Sequence, residues 1–267
     1  MTRRWLIPLG AVLSISLLAN GQERWPQNDK PRSSTDQAPY GYLLPHNGTP
    51  GNESLQALPY RPQPGDLVLY DAHSKFFHAV YRLARTGSPI HSAIVIARDD
   101  GSPALLELTG PTIVSAKVVI IDLLPRMSTY PGDVMVRQLR EPLTPEQSRD
   151  MTQFGQSQVG RGFALHRCML LGTPFCPKLG IRRACFGRTY FNRHRWFCSE
   201  MVVAAGTTAH LFDPHMHPAN ATRPRDLAFD ETMDLSALYH PVQPWTADRP
   251  PATPIIAIPM LKNRQGR

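Results

Sequence analysis

The residue best suited to covalent chemistry is Cys198, in the segment Trp196-Phe-Cys-Ser-Glu-Met-Val202. A thiol is activated where a helix begins, because the helix dipole and the free N–H groups of the first turn favour the thiolate and can bind a developing oxyanion. Ser199 and Glu200 suit a first turn, and the apolar run after them predicts a helix from Cys198 to about His210. A buried core thiol is the alternative. This local pattern alone favours the two interpretations equally.

A thiol nucleophile needs a base, and His91 is placed to supply one. It opens a predicted strand, residues 91–97, whose following residues are almost all apolar, so its ring would lie at the rim of a sheet. Glu107 lies on the partner strand of the predicted hairpin, among leucines, where it could orient that ring. Taken alone, His91 fits a surface position better, and Glu107 fits one about equally well. Asp122 or a backbone carbonyl could also take the orienting role.

The order of short motifs along the chain resembles that of a family of papain-like enzymes. Arg61-Pro-Gln-Pro-Gly-Asp-Leu-Val-Leu-Tyr70, His91-Ser-Ala-Ile-Val-Ile96 and Leu105-Leu-Glu107 resemble the middle of NlpC-type cell-wall peptidases. The cysteine motif, Phe197-Cys-Ser-Glu-Met-Val-Val203, comes after the histidine, and Thr222-Arg-Pro-Arg-Asp-Leu227 follows it. This order is similar to the circularly permuted YiiX-like branch, which is related to lecithin retinol acyltransferase. The Asn-Cys-Glu-His motif of the retinol-type enzymes is absent from the sequence.

The resemblance covers roughly residues 61–227. It implies a permuted papain-like α+β fold, in which an antiparallel sheet packs against helices that include the cysteine-bearing one. It also implies Cys198 as the nucleophile, His91 as the base and Glu107 as the third polar member of a thiol hydrolase. Such an enzyme would cleave an amide or peptide bond, as in cell-wall peptides, and would need no cofactor and no metal.

Three further residues near this set are candidates for substrate contact: Tyr70, Ser199 and Trp196. The substrate would be a peptide, a wall polymer or a lipid-like amide or ester. Two other functions remain open. One is a lipid-directed acyltransferase or esterase of the same fold, and the other is a non-catalytic module that binds an anionic ligand.

Helices and strands expected around these residues indicate an α+β domain. Thr144 as N-cap, Pro145 at N1 and Gln147 at N3 form a capping-box pattern, which predicts a helix to about Val159. Another amphipathic helix is predicted over residues 74–84. Strands are predicted at residues 66–70, 91–97, 104–108, 113–124 and 134–139, with a turn at 99–102.

The two ends of the chain differ in composition from this domain. Residues 1–21 combine a basic start with a short apolar run, which predicts a signal peptide or an N-terminal anchor. Residues 22–60 predict a Pro/Gly-rich linker, residues 61–240 the catalytic domain, and residues 241–267 a Pro-rich tail. The protein is therefore expected to be secreted or periplasmic, or held at the membrane by its N-terminal segment.

A basic segment precedes the cysteine motif. Residues 160–197 hold eight Lys or Arg and no acid, a surplus equal to the formal net charge of +8, and aromatic residues are interleaved. Such a segment could contact an anionic substrate or surface, or it could be an ordinary solvated loop. The secretory start does not favour nucleic acid as a partner.

The remaining cysteines are Cys168, Cys176 and Cys185. No Cys-x-x-Cys occurs, so zinc-binding spacing is not present. If Cys198 stays free, these three can form one disulfide, in any of three pairings.

Overall fold

The computed structural model describes residues 38–45, 57–72, 87–112, 115–171, 179–186 and 193–249. The helix predicted at residues 74–84 and the N-terminal signal or anchor lie outside these ranges. No helix within the described ranges is both long enough and apolar enough to cross a membrane.

Ten strands of the described residues form one sheet. They are β1 (Tyr42–Leu43), β2 (Leu58–Pro59), β3 (Leu67–Ala72), β4 (His91–Ala97), β5 (Pro103–Thr109), β6 (Lys117–Asp122), β7 (Gly132–Arg137), β8 (Gly162–Phe163), β9 (Arg195–Trp196) and β10 (Gln243–Thr246). Their order across the sheet is β2-β1-β10-β7-β3-β4-β5-β6-β8-β9. Among these strands the neighbours run antiparallel, apart from the parallel pair β8 and β9.

Helices of the described residues pack against this sheet, which makes the fold α+β as predicted. They are α1 (Leu123–Thr129), α2 (Pro145–Gln158), α3 (Leu165–Leu171), α4 (Leu179–Phe186), α5 (Cys198–Thr208) and α6 (Pro224–Ala228), with a 3-10 helix at Ala219–Ala221. The capping box of α2 is confirmed, because Thr144 Oγ1 accepts from the Gln147 N–H and Gln147 Oε1 accepts from the Thr144 N–H.

The central strands β3, β4 and β5 are buried on both faces, as their near-continuous apolar runs require. One face packs against α2 and α5, and the other carries a second core that includes residues of α1. Representative residues of the first core are Leu69, Ile94, Met151, Met201 and Val202. Those of the second core are Val68, Tyr70, Val95, Leu123 and Met127. Of the catalytic candidates, His91 begins β4, Glu107 lies in β5 and Cys198 begins α5.

The folded domain extends beyond the predicted boundaries at residues 61 and 240. Strands β1 and β2 lie in the predicted linker, and β10 lies in the predicted tail. Tyr60 and Leu43 are fully buried, and Trp245 packs with them in the second core. These segments are short and rich in Pro and Gly, so their strand character does not show in the sequence pattern, although their side chains complete the core.

Candidate active site

Cys198 is the first residue of α5, as predicted. The N-cap is Phe197, whose backbone is extended, and the helix begins directly at the thiol. The Ser199 N–H, in the same first turn, donates a hydrogen bond to the Cys198 sulfur. Glu200, at N3, is the acidic residue of the first turn, where a negative charge interacts favourably with the helix dipole. The thiol therefore lies at the positive end of the helix, among donors that helical bonding leaves available.

A second donor reaches the sulfur from the sheet. Strand β4 pairs in register with β5 only from Ile94 to Ala97, so the two strands separate at the end that begins with His91. At this fork the Ser92 N–H donates to the Cys198 sulfur. The nucleophile candidate is thus held between the first turn of α5 and the start of β4.

The environment of Cys198 favours the thiolate. Burial by itself raises the pKa of Cys198, but the hydrogen bond and positive charge of His91 and the two backbone N–H groups outweigh it, so its pKa is lowered. The residue is only 8% exposed, so the thiolate is stabilised by these partners rather than by water.

His91 and Glu107, which are sixteen residues apart, are brought into direct contact. His91 Nε2 donates to Glu107 Oε1 over 3.0 Å, and the Glu107 side chain is fully buried while that of His91 is 21% exposed. Because Nε2 is occupied by Glu107, the other ring nitrogen, Nδ1, is left for Cys198. The three residues proposed for catalysis therefore form one connected chain of hydrogen bonds.

The charges of this chain support one another. Burial alone lowers the pKa of His91, but the hydrogen bond and charge of Cys198, followed by those of Glu107, raise it to about 9. Burial alone raises the pKa of Glu107, yet hydrogen bonds from His91 and Arg126 lower it to about 2. His91 is consequently charged near neutral pH beside the Glu107 carboxylate, and its positive charge shifts Cys198 toward the thiolate.

Arg126 is a member of this cluster that the sequence did not reveal. It lies in α1, where Arg126 Nε donates to both oxygens of Glu107, at 3.1 and 2.9 Å, and Nη2 donates to Oε1 at 2.7 Å. Its local sequence, Leu-Leu-Pro-Arg-Met, carries no motif, and the segment before it was predicted as a strand to Leu124. The signal that could have found it is a buried acid, Glu107, which requires a cationic partner.

The three predicted substrate-contact residues are fully buried in the structure. The Tyr70 ring stacks on His91 with centroids 5.5 Å apart, and so packs behind the base. Ser199 Oγ donates to the Thr222 backbone carbonyl over 2.7 Å, which attaches α5 to the segment before α6. Trp196 Nε1 donates to Gln158 Oε1 in the core. Their contacts position the candidate site, and none offers an exposed surface to a substrate.

Several arginines of the basic segment form ion pairs inside the protein. Arg167 and Arg193 both pair with Glu200, and the Arg167 guanidinium lies 5.7 Å from the Phe197 ring centroid. Arg182 pairs with Asp226 of α6 in a buried contact. The acids that neutralise these arginines come from outside the segment, which explains how a run without acids can pack beside the cysteine helix.

Cys168 is an unpaired thiol in the structure. Burial, followed by the nearby charge of Cys198, raises the pKa of Cys168 to about 12, so this thiol stays protonated. Its two predicted disulfide candidates, Cys176 and the side chain of Cys185, lie outside what the structure describes. Within the described ranges, no group of three or more His, Cys, Asp or Glu is arranged to hold a metal ion.

Comparison with known proteins gives a structural likeness only. No protein-family model matches the chain, and no curated protein matches it. Among solved structures, the crystal structure of the metalloprotein yiiX from Escherichia coli O157:H7 is similar at 20% sequence identity. The likeness covers 56% of this chain and 67% of that chain, with a TM-score of 0.37.

Proposed function

We propose that this protein is a thiol hydrolase that cleaves an amide, peptide or ester bond through a Cys198–His91–Glu107 site. The observation that carries the proposal is the buried hydrogen-bonded chain from the helix-initiating thiol through His91 to Glu107. Such a chain supplies a thiolate, a proton carrier and a group that orients it. The proposal includes a circularly permuted papain-like arrangement, since the strand with the base precedes the cysteine helix in the chain.

In the first step, the Cys198 thiolate attacks the carbonyl carbon and the new carbon–sulfur bond pushes the carbonyl electron pair onto oxygen. The Cys198 N–H, which lies in the first turn of α5, donates to this oxyanion. When the oxyanion collapses, the bond to the leaving amine or alcohol breaks and His91 gives that group its Nδ1 proton. A thioester on Cys198 and a neutral imidazole remain.

In the second step, water attacks the thioester while His91 Nδ1 takes one of its protons. Collapse of this intermediate breaks the carbon–sulfur bond, releases a carboxylic acid and restores the thiolate beside the imidazolium. Glu107 accepts from His91 Nε2 throughout, which keeps Nδ1 turned toward the sulfur. An acceptor other than water would make the same site an acyltransferase.

The first test is alkylation of the folded protein with iodoacetamide from about pH 4 to about pH 9, with each cysteine mapped by mass spectrometry. Cys198 is expected to react with a midpoint well below that of a free thiol, about 8.5, and His91→Ala should return it toward that value. Cys168 is the internal control, because its raised pKa keeps it unreactive over this range.

Hydrolysis of amide and ester substrates is then measured for the wild type, Cys198→Ser and His91→Ala. Wall peptides and lipid-like esters belong in the same screen, since the site chemistry suits either carbonyl. Loss of all turnover in Cys198→Ser is expected. If Cys198 titrates as a free thiol whether or not His91 is present, the hydrolase proposal is abandoned in favour of a non-catalytic binding module.

A further inference from the structure

Arg126 and His91 share one oxygen of Glu107. Arg126 Nη2 and His91 Nε2 both donate to Oε1, at 2.7 and 3.0 Å, and Arg126 Nε spans the two oxygens. The Arg126 side chain is 11% exposed and Glu107 is fully buried. A planar guanidinium bound in this way fixes the plane and direction of the carboxylate, and not only its charge.

Aromatic rings pack against both cationic side chains of the cluster, Arg126 and His91. The Arg126 guanidinium lies 5.4 Å from the ring centroids of Tyr70 and Tyr130, and Tyr70 also stacks on His91. Burial is the main reason that the pKa of Tyr70 is raised and that of Tyr130 is raised to about 12, so both phenols are neutral near pH 7. The two tyrosine rings therefore pack against the cluster without adding a charge.

Arg126 adds a positive charge to the set formed by Cys198, His91 and Glu107, while Arg167 and Arg193 both pair with Glu200 in the first turn of α5. A thiolate on Cys198 and a carboxylate on Glu107 flank one imidazolium, which leaves one negative charge without a counterpart in a buried place. Arg126 supplies the second positive charge. The charges of Asp71 and Asp133 act on Tyr130, and the neighbouring thiol of Cys168 is protonated. Burying an uncompensated charge is costly enough to force a change of protonation.

We propose that Arg126 is a positioning residue with two effects. Its positive charge allows Cys198 and Glu107 to be ionised together. Its bidentate guanidinium fixes the Glu107 carboxylate so that His91 presents Nδ1 to the thiol. This inference rests on the proposed function for its meaning in catalysis. Arg126 acts through Glu107, whose carboxylate it binds directly.

The test measures the titration of His91 by ring-nitrogen NMR in a Cys198→Ala background, so its result does not depend on thiol chemistry. Removing a positive charge from the cluster raises the pKa of the remaining groups, so Arg126→Gln should move the His91 midpoint up by about one pH unit or more. Glu107→Gln should move it down, because the imidazolium loses its anion. General destabilisation of the fold would not raise the His91 midpoint in Arg126→Gln and lower it in Glu107→Gln.

Two further variants separate charge from geometry and guard against misfolding. Arg126→Met is a second neutral replacement of similar length and is used if Arg126→Gln does not fold. Arg126→Lys keeps the positive charge but loses the bidentate guanidinium. It should therefore leave the His91 midpoint near that of the Cys198→Ala protein. In the Cys198-containing protein, Arg126→Lys should nevertheless reduce turnover at least tenfold, as expected when a positioned base is misaligned.

Arg137→Gln is the matched control, since Arg137 is a buried sheet arginine that pairs with Asp230 through the same kind of contact. It should leave the His91 midpoint unchanged. The role of Arg126 is overturned if neutral replacements leave the midpoint in place, or if Arg137→Gln moves it equally. Those results would not bear on the hydrolase proposal, which stands or falls on the alkylation of Cys198.

Discussion

At the scale of single residues, the site is a row of ionisable groups in a buried place: Cys198, His91, Glu107 and Arg126. Each member has an environment that would be unfavourable without its neighbour. Glu107 shows this most clearly, because its side chain has no exposed surface, yet its pKa is held near 2 by two donors. The same contacts therefore contribute both to the stability of the fold and to the lowered pKa of the Cys198 thiol.

This linkage predicts how acid affects folding. The pKa of Glu107 is lowered on folding, so its ionised form stabilises the protein above the unfolded value of about 4.3, and this contribution is lost as pH falls toward about 2. Glu107→Gln should therefore cost about 3 kcal/mol more at neutral pH than near pH 2. Urea unfolding at a series of pH values measures the difference.

The control for this prediction is Asp122→Asn, which removes the partner of Arg98 from an ion pair with both side chains about one third exposed. Exposed pairs of this kind contribute about 0–1 kcal/mol, so its loss is expected to cost little. A Glu107→Gln cost that stays the same from neutral to acidic pH would show that Glu107 is not held as a buried anion.

At the scale of elements, the first turn of α5 is fixed by contacts on several sides, and its last turn is fixed by close packing. Phe212 folds back so that its N–H donates to the Gly206 carbonyl. A Cβ at Gly206 would lie 2.4 Å from the Phe212 ring, which is buried. The helix therefore needs a glycine here despite its low helix propensity.

Gly206→Ala is expected to destabilise the protein by about 1–3 kcal/mol, because overpacking exceeds the gain in helix propensity. Gly180→Ala in α4 is the matched control, since a Cβ there meets nothing within 4 Å, and it should be neutral or stabilising by up to about 1 kcal/mol. Thermal and urea unfolding of both variants would decide. Equal effects at the two positions would contradict the close packing at Phe212.

Much of the element pattern could be predicted from local sequence. Strand β4 was placed at its observed bounds, and the capping box placed the start of α2 because its residue types act over three positions. Helix α1 was missed, since Pro125 interrupts a short apolar run. The proline fits because it occupies the first turn, where its missing N–H has no helical acceptor to lose. Arg126 was missed with it, because its partner Glu107 is distant in sequence and only the sheet brings them together.

At the scale of the whole molecule, the sheet joins the ends of the described chain. β10 pairs with β7, and β1 lies between β10 and β2, so segments before residue 61 and after residue 240 cover the edge of β7. Tyr60 also donates to Asp66 at the start of β3, which ties the same segment to the centre of the sheet. The catalytic candidates themselves lie on strands and helices well inside these boundaries.

A chain limited to residues 61–240 is therefore expected to be several kcal/mol less stable than one spanning residues 38–249, because it loses Leu43, Tyr60 and Trp245 from the second core. It should also aggregate more readily, since the β7 edge would be open. Thermal unfolding and light scattering of the two chains test this. Equal stability of the two chains would mean that β1, β2 and β10 do not contribute to the stability of the domain.

The order of the site residues along the chain determines when a reactive thiol can exist. His91, Glu107 and Arg126 are all synthesised before Cys198, and nine of the ten described strands precede α5. A growing chain, or one threaded unfolded across a membrane, would carry an ordinary cysteine. The Ser92 N–H and the imidazole reach the sulfur only when α5 docks on the finished sheet. The fold therefore has to form before the Cys198 thiol gains the neighbours that lower its pKa.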